Sequence, residues 1–418
     1  MRLLYLTPAY PPGLGGGERY VRALATALTA QGHELVVVTS TAVREADFWQ
    51  GTLEQRSIIE QDGSITLHRL PLKPFPGGRP GLLTWRKGMV LLSALPGNQS
   101  RLLSQMARLI PRFIDLEQRL NQLAAPFDLV HAFNISWEYP LVTGWRFARR
   151  QGLPLVVTPF AHFGVGRADR VARNSAMDHQ RQVLLDAAAV QALTAVEQQQ
   201  LSHLGIAPER VTAVGGGLDP IPDLLPPAAT LAEHDLQTPL ALFIGRQNYD
   251  KGAIQAAQAV LALADKGLTL ALVGEMAPDF SRFYTGLSPE EKRWIRPLGR
   301  LSESVKHTLL SQAALLLLPS RTDSFGIVIL EAWAHGVPVI GARAGGIPGV
   351  ITDGQDGLLV PFGDVAALTA AIFQLLTEPA LTEKMGAAGR QKTISRYTWS
   401  QVAKQVLADY QRALRNDS

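Results

Sequence analysis

The sequence predicts an α/β protein made of two Rossmann-like, doubly wound parallel-sheet domains. Both halves alternate short apolar runs with segments of helical periodicity, the pattern of parallel strands covered by helices. Glycine-containing loops follow several of the runs, where doubly wound sheets hold their ligands. A chain of 418 residues is also too long for one compact core.

In chain order, Leu3 to Thr7 is the first predicted strand, followed by a loop with Gly13, Gly15, Gly16 and Gly17. Tyr20, Val21, Leu24, Ala25 and Leu28 then recur at helical spacing until Gly32 stops the helix. Further strands are predicted at Leu35–Val38, Asp128–Ala132, Leu155–Val157, Ala188–Ala192 and Val211–Val214. A Pro-rich stretch over 218–239 lacks strong periodicity and reads as a linker. Strands resume at Leu240–Ile244, Leu268–Val273, Leu315–Leu318 and Val337–Ile340. The amphipathic segments Asp364–Leu376 and Ser400–Leu414 close the chain. The domain expectation is therefore 1–217, a linker over 218–239, 240–395, and a last segment over 396–418.

Composition narrows the function classes. An apolar fraction of 46% with 18% charged residues describes a globular protein. Without cysteine, disulfides and thiolate metal sites are excluded. Residues 1–8 read as a strand and are too short for a signal peptide, and no apolar run reaches 18 residues, so the expected location is cytoplasmic. Residues 1–216 carry 22 Lys/Arg against 16 Asp/Glu. Much of that excess lies in 69–119, where nine basic residues interleave with leucines and methionines. This region is a solvated helical pair on its own domain, or a peripheral contact with an anionic membrane at its inner face. Nucleic acid is not expected, because no aromatic stacking platform accompanies the charge.

The segment from Pro319 to Gly336 carries the most chemistry. An apolar strand ends at Pro319, a polar loop follows, and Gly326 opens an apolar helix that Gly336 closes. The helix N-terminus offers free amides to an anion. Asp323 in the loop and Glu331 in the helix stand eight positions apart. Carboxylates suit sugar hydroxyls rather than phosphate, so the combination suggests a nucleotide sugar. Upstream, Arg246 and Lys251 follow a strand five positions apart, close enough to converge on one diphosphate. No His, Asp and Glu cluster shows metal-ligand spacing, and no metal is expected. A dinucleotide fingerprint of Gly-x-Gly-x-x-Gly with a later acid is absent.

Together these motifs resemble the retaining GT-B glycosyltransferases usually called family 4. The resemblance rests on Gly15-Gly-Gly-Glu-Arg-Tyr20, Thr158-Pro-Phe-Ala-His162, and Gly245-Arg-Gln-Asn-Tyr-Asp-Lys-Gly252. Val273-Gly-Glu275, Leu298-Gly-Arg-Leu301, the Asp323 to Glu331 segment and Gly345-Gly-Ile-Pro348 continue it, and Tyr397-Thr-Trp-Ser-Gln-Val402 looks like the terminal helix that returns to the first domain. It implies two domains with a cleft between them and transfer of a sugar from a UDP-, GDP- or ADP-linked donor to a hydroxyl of a glycan, lipid or small molecule, without a cofactor.

The resemblance also implies roles. Arg246 and Lys251 would hold the diphosphate and stabilise the leaving group. Glu331 would accept from ribose hydroxyls, and Asp323, where the family usually has Glu, would meet the sugar. Ser324 and the amides of Phe325, Gly326 and Ile327 would lie at the donor, with Leu301 and Glu275 at the base. Gly16 and Gly17 would border the donor phosphates, and His162 would contact the donor sugar. Gly349 departs from the Glu that the family commonly has there. Replacing Lys251 or Glu331 by Ala is expected to remove most transfer activity at little cost in stability. The alternatives are a GT-B-like sugar-nucleotide epimerase and a binding protein that has lost catalysis.

Overall fold

A computed structural model describes residues 1–13, 15–123, 126–161 and 173–416. Two compact units emerge: the described residues up to Gly217 together with the segment from Trp399 onward, and Leu218–Thr398.

The first unit holds an eight-stranded sheet. Its strands are β1 (Arg2–Leu6), β2 (Glu34–Ser40), β3 (Ile58–Asp62), β4 (Ile65–Leu70), β5 (Leu129–Phe133), β6 (Leu155–Thr158), β7 (Ala189–Ala192) and β8 (Val211–Ala213). They lie in the order β3-β4-β2-β1-β5-β6-β7-β8, parallel throughout except for the β3/β4 hairpin. Central β1 is buried on both faces, so it reads as a continuous apolar run. The hairpin escapes such a reading. β3 is an exposed edge carrying Glu60 and Gln61, and β4 alternates at Thr66 and His68 and places Arg69 on its buried face, so neither shows a run.

The second unit is a six-stranded parallel sheet. β9 (Leu240–Ile244), β10 (Thr269–Val273), β11 (Ile295–Gly299), β12 (Leu315–Leu318), β13 (Val339–Ala342) and β14 (Gly357–Val360) lie in the order β11-β10-β9-β12-β13-β14. β11 carries Pro297 and β14 is four residues opened by glycine, which hid both from the sequence. Part of the expected linker is ordered. Pro227–Glu233 is a helix with Thr230 buried, and Leu225 N–H donates to Thr308 Oγ1 at 2.9 Å.

Among the described residues no single helix is long and apolar enough to cross a membrane. Val365–Thr377 and Pro379–Arg396 meet that length only across a 100° bend. Their Leu368, Ile372, Leu375 and Met385 are buried in the core of the second unit.

Candidate functional site

In the second unit, every described site residue expected from the sequence lies in or just after the loops at the carboxyl ends of β9, β10, β11 and β12. These are neighbouring strands, so residues far apart in sequence are brought side by side. Arg246 is exposed directly after β9. Lys251 sits five residues on, and its Nζ donates to Asp323 Oδ1 at 2.9 Å, across 72 residues of chain. A second pair crosses the same two loops. Arg321 donates through Nε and a terminal nitrogen to Asp250 Oδ1 at 2.9 and 2.7 Å, and its own N–H donates to the Asp250 carbonyl. Asp250 and Arg321 had no role in the sequence reading, because a lone acid and a lone base give no local signal.

Glu331 occupies an unusual position for a charge. It is 6% exposed within Ile327–Ala334, a helix whose other central residues are all apolar and buried. Lys306, also 6% exposed, donates from Nζ to Glu331 Oε1 at 2.9 Å and to Glu303 at 2.6 Å. The second oxygen of Glu331, Oε2, is buried with no hydrogen-bond partner among the described residues. A buried carboxylate oxygen without a donor is costly, and a ligand hydroxyl would satisfy it.

Glu303, His307 and Glu331 also bring their ligand atoms within 4.8 Å of one another. The Lys306 ammonium lies against both carboxylates of that cluster and supplies the positive charge they require. His307 Nδ1 and His335 Nε2 share a hydrogen bond of 2.9 Å. Burial, and for His307 the adjacent Lys306 charge, pushes both imidazoles down to about 4, so both are neutral near pH 7.

The loop after β12 is shaped by close backbone approach. Gly326 adopts φ +81° to start the helix, and a Cβ there would come within 2.8 Å of Leu318. The amides of Phe325, Gly326 and Ile327 have no acceptor among the described residues, which leaves them to a ligand. The Phe325 ring is buried edge-on against Tyr397. Gly346 lets the loop after β13 lie on this one: its N–H donates to the Asp323 carbonyl at 2.8 Å, and a Cβ would sit 1.7 Å from the Ser324 carbonyl oxygen. The Gly345-Gly-Ile-Pro348 motif thus has a physical purpose, holding the Asp323 loop.

Glu275 and Leu301 follow β10 and β11 at adjacent strand ends, where Gly274 N–H donates to the Gly299 carbonyl at 2.7 Å. Glu275 is exposed and pairs with Arg300 at 3.0 Å. Buried Gln247 ties these ends to β9, donating to the carbonyls of Leu272 and Gly274 at 3.1 and 2.9 Å.

In the first unit, Gly16 and Gly17 open the Gly16–Thr29 helix. Gly16 is exposed with open space around it, whereas a Cβ on Gly17 would touch the Phe160 ring at 3.4 Å. The Glu18 side chain caps the helix by accepting from Gly15 N–H at 2.9 Å. His162 lies outside the described residues. The segment leading to it is held at Ala161, whose N–H donates to buried Glu197 at 2.8 Å. Phe160 adopts φ +48°, strain that the surrounding packing against Tyr20 and Phe133 must enforce.

Comparison with known proteins places this arrangement. Residues 15–217 match the model of a glycosyl transferase 4-like domain, and 238–378 match that of glycosyl transferases group 1. A D-inositol 3-phosphate glycosyltransferase of Corynebacterium glutamicum is 26% identical over 99% of this chain and 96% of its own. Glycogen synthase of Mycobacterium tuberculosis is 32% identical over 178 residues, which span 43% of that protein's length. Among solved structures, sucrose-phosphate synthase from Thermosynechococcus elongatus superposes with a TM-score of 0.71 at 21% identity, covering 99% of both chains. HepE from Anabaena, in complex with UDP and glucose, gives 0.66 at 18% identity over 97% of this chain and 98% of its own.

Proposed function

The chain is a GT-B glycosyltransferase of the glycosyl transferases group 1 family, and from that premise we propose how its residues divide the work of a retaining transfer from a nucleotide sugar. Lys251 and Arg246 hold the donor diphosphate and neutralise the charge that builds on it as the sugar departs. The amides of Phe325, Gly326 and Ile327 take further phosphate oxygens at the helix N-terminus. Ser324 lies beside them at the donor. Glu331 accepts from the ribose hydroxyls through the oxygen that has no protein donor, and Asp323 accepts from the sugar. Glu275 and Leu301 border the base. In the first unit, Gly16 and Gly17 leave room for the donor phosphates and His162 orients the sugar. The departing phosphate takes the proton of the attacking acceptor hydroxyl on the same face, and Arg246 and Lys251 supply the positive charge that the leaving diphosphate requires.

The single observation that supports this most is the 2.9 Å contact of Lys251 with Asp323, since it joins the phosphate-side cation to the sugar-side acid. A bound diphosphate would take over part of the Lys251 charge and release Asp323 toward hydroxyls. The epimerase and inactive-protein alternatives gain no support from relatives named as a glycosyltransferase and as sugar-phosphate synthases.

One expectation changes with the structure. Glu331→Ala would leave Lys306 buried beside a single half-exposed acid, and breaking a buried pair costs about 3–5 kcal/mol. Glu331→Gln keeps the shape and is the better probe. Calorimetry should find affinity for one of UDP, GDP or ADP. Lys251→Met and Glu331→Gln should each weaken it roughly tenfold to a hundredfold, the worth of one charged hydrogen bond. Normal affinity and normal transfer in both variants would defeat the assignment.

A further inference from the structure

The chain from 63 to 114 carries eight Lys/Arg and no Asp or Glu, and the structure sorts those cations into two sets. Arg69 is buried and binds Glu60 and the carbonyls of Tyr10 and Pro11. Arg86 reaches Glu138 and the Ser136 carbonyl, Arg112 the Pro74 carbonyl, and Arg108 pairs with Glu117. The remaining four, Lys73, Arg79, Lys87 and Arg101, are exposed and form no ion pair among the described residues.

The helix Gly78–Ser93 turns Leu82 and Met89 into the core. Its opposite face repeats every four residues as Arg79, Leu83, Lys87 and Leu91, one continuous stripe. Leu83 is 51% exposed and Leu91 70%. Leu95 just past the helix and Leu102, beside Arg101 on the next helix, are 55% and 48% exposed. Beside Leu91 a groove of about 490 Å³ continues the apolar surface, with Val90, Ala94, Met177 and Leu204 among its lining residues and Arg173 exposed within it. Exposed leucines at this density need a partner, and the cations among them state its charge.

We propose that this face docks on an anionic lipid surface, with the leucines entering the acyl boundary and Arg79, Lys87 and Arg101 meeting headgroup phosphates. Basic residues alternating with leucines on one helix face match an interfacial helix lying in the plane of a bilayer. A second copy of this chain fits the face poorly, because a twofold contact would set its cations against themselves. Nucleic acid also fits poorly, since the outward side chains between the cations are leucines rather than stacking aromatics. The inference rests on this surface alone and stands apart from the donor-site assignment.

Vesicle sedimentation tests it. The chain should sediment with phosphatidylglycerol-containing vesicles and stay free of pure phosphatidylcholine ones. Each cation removed should weaken partitioning about fivefold. A triple Arg79→Gln, Lys87→Gln, Arg101→Gln variant should therefore lose about a hundredfold at low salt. A triple Leu83→Ser, Leu91→Ser, Leu95→Ser variant should lose the binding that survives high salt, where charge attraction is screened. All six positions are exposed, so both variants should keep the wild-type melting temperature. No sedimentation, equal partitioning onto neutral vesicles, or unchanged partitioning of both variants would overturn the proposal. So would tighter binding to duplex DNA than to vesicles, which would assign the face to nucleic acid. A dimer that the leucine variant converts to monomer would assign it to a second copy.

Discussion

Lys306 shows how much one side chain can decide. It stands on the Glu303–Gln312 helix, and its ammonium is the sole hydrogen-bond donor that reaches Glu331 among the described residues. Lys306→Met should destabilise the chain by about 3 kcal/mol, because it leaves a buried carboxylate with neither oxygen paired. Adding Glu331→Gln should recover a large part of that loss, and urea unfolding of the two single variants and the double measures the coupling. If the single Lys306 variant matched the wild type, Glu331 would not depend on this lysine. The pairing was not legible in the sequence. Asp323, Glu331, Arg246 and Lys251 stand out because each sits in a motif, whereas Lys306 is one basic residue in a short helix that carries no motif. Its meaning comes from a contact 25 residues away in the chain, and only the fold supplies that. Arg321 and Asp250 do lie within motifs, but their pairing across 71 residues of chain was hidden in the same way.

At the scale of elements, Glu197 joins two strand ends of the first unit. It stands in the first turn of the Ala195–His203 helix, accepting from Ala161 N–H after β6 and from Leu193 N–H after β7, at 2.8 and 2.7 Å. Burial pushes its carboxyl from an ordinary 4.5 up to about 7, while the two amide hydrogen bonds pull the other way. As pH rises, the unfolded chain releases this proton near 4.5 and the folded chain holds it until about 7. The folded state binds more protons across that window, so its contribution is present below 4.5 and lost as pH rises through 7, by roughly 3 kcal/mol at most. Urea unfolding of wild type and Glu197→Gln from acid to neutral pH should show the difference shifting toward the variant as pH rises. A difference independent of pH would mean that Glu197 does not titrate there. Elements were legible where burial on both faces writes an unbroken apolar run, as at Leu240–Ile244 and Leu315–Leu318. They were illegible at the β3/β4 hairpin, where one edge strand faces water and the other alternates. The Pro379–Arg396 helix also went unread, since its small and polar residues show no stripe.

For the whole molecule, the last helix matters most. Trp399–Asn416 is the last described helix, yet it completes the core of the unit in which the chain begins. Val402, Ala403, Val406, Tyr410 and Ala413 are all within 1% of full burial. Tyr410 Oη meets Tyr5 Oη at 2.7 Å and His131 Nδ1 at 2.6 Å, on the central strands β1 and β5. Asp409 accepts from Thr212 and Gln191, on β8 and β7, and Trp399 packs edge-on against Tyr20 of the first helix. An amphipathic pattern says that one face of such a helix is covered, but not which sheet covers it. Burying these side chains is worth about 5 kcal/mol or more, comparable with the 5–15 kcal/mol that holds a typical domain together. Their loss would also remove the Tyr410 hydroxyl from His131 Nδ1 and Tyr5 Oη and open that side of β1 and β5 to water. A chain ending at Thr398 should therefore lose hydrogen-exchange protection at β1, β5, β6 and β7. β9, β10 and β12 should stay protected, because the core of the second unit contains none of the removed residues. If β1 and β5 remained as slow to exchange as in the full chain, the helix would be a covering of that sheet and not part of its core.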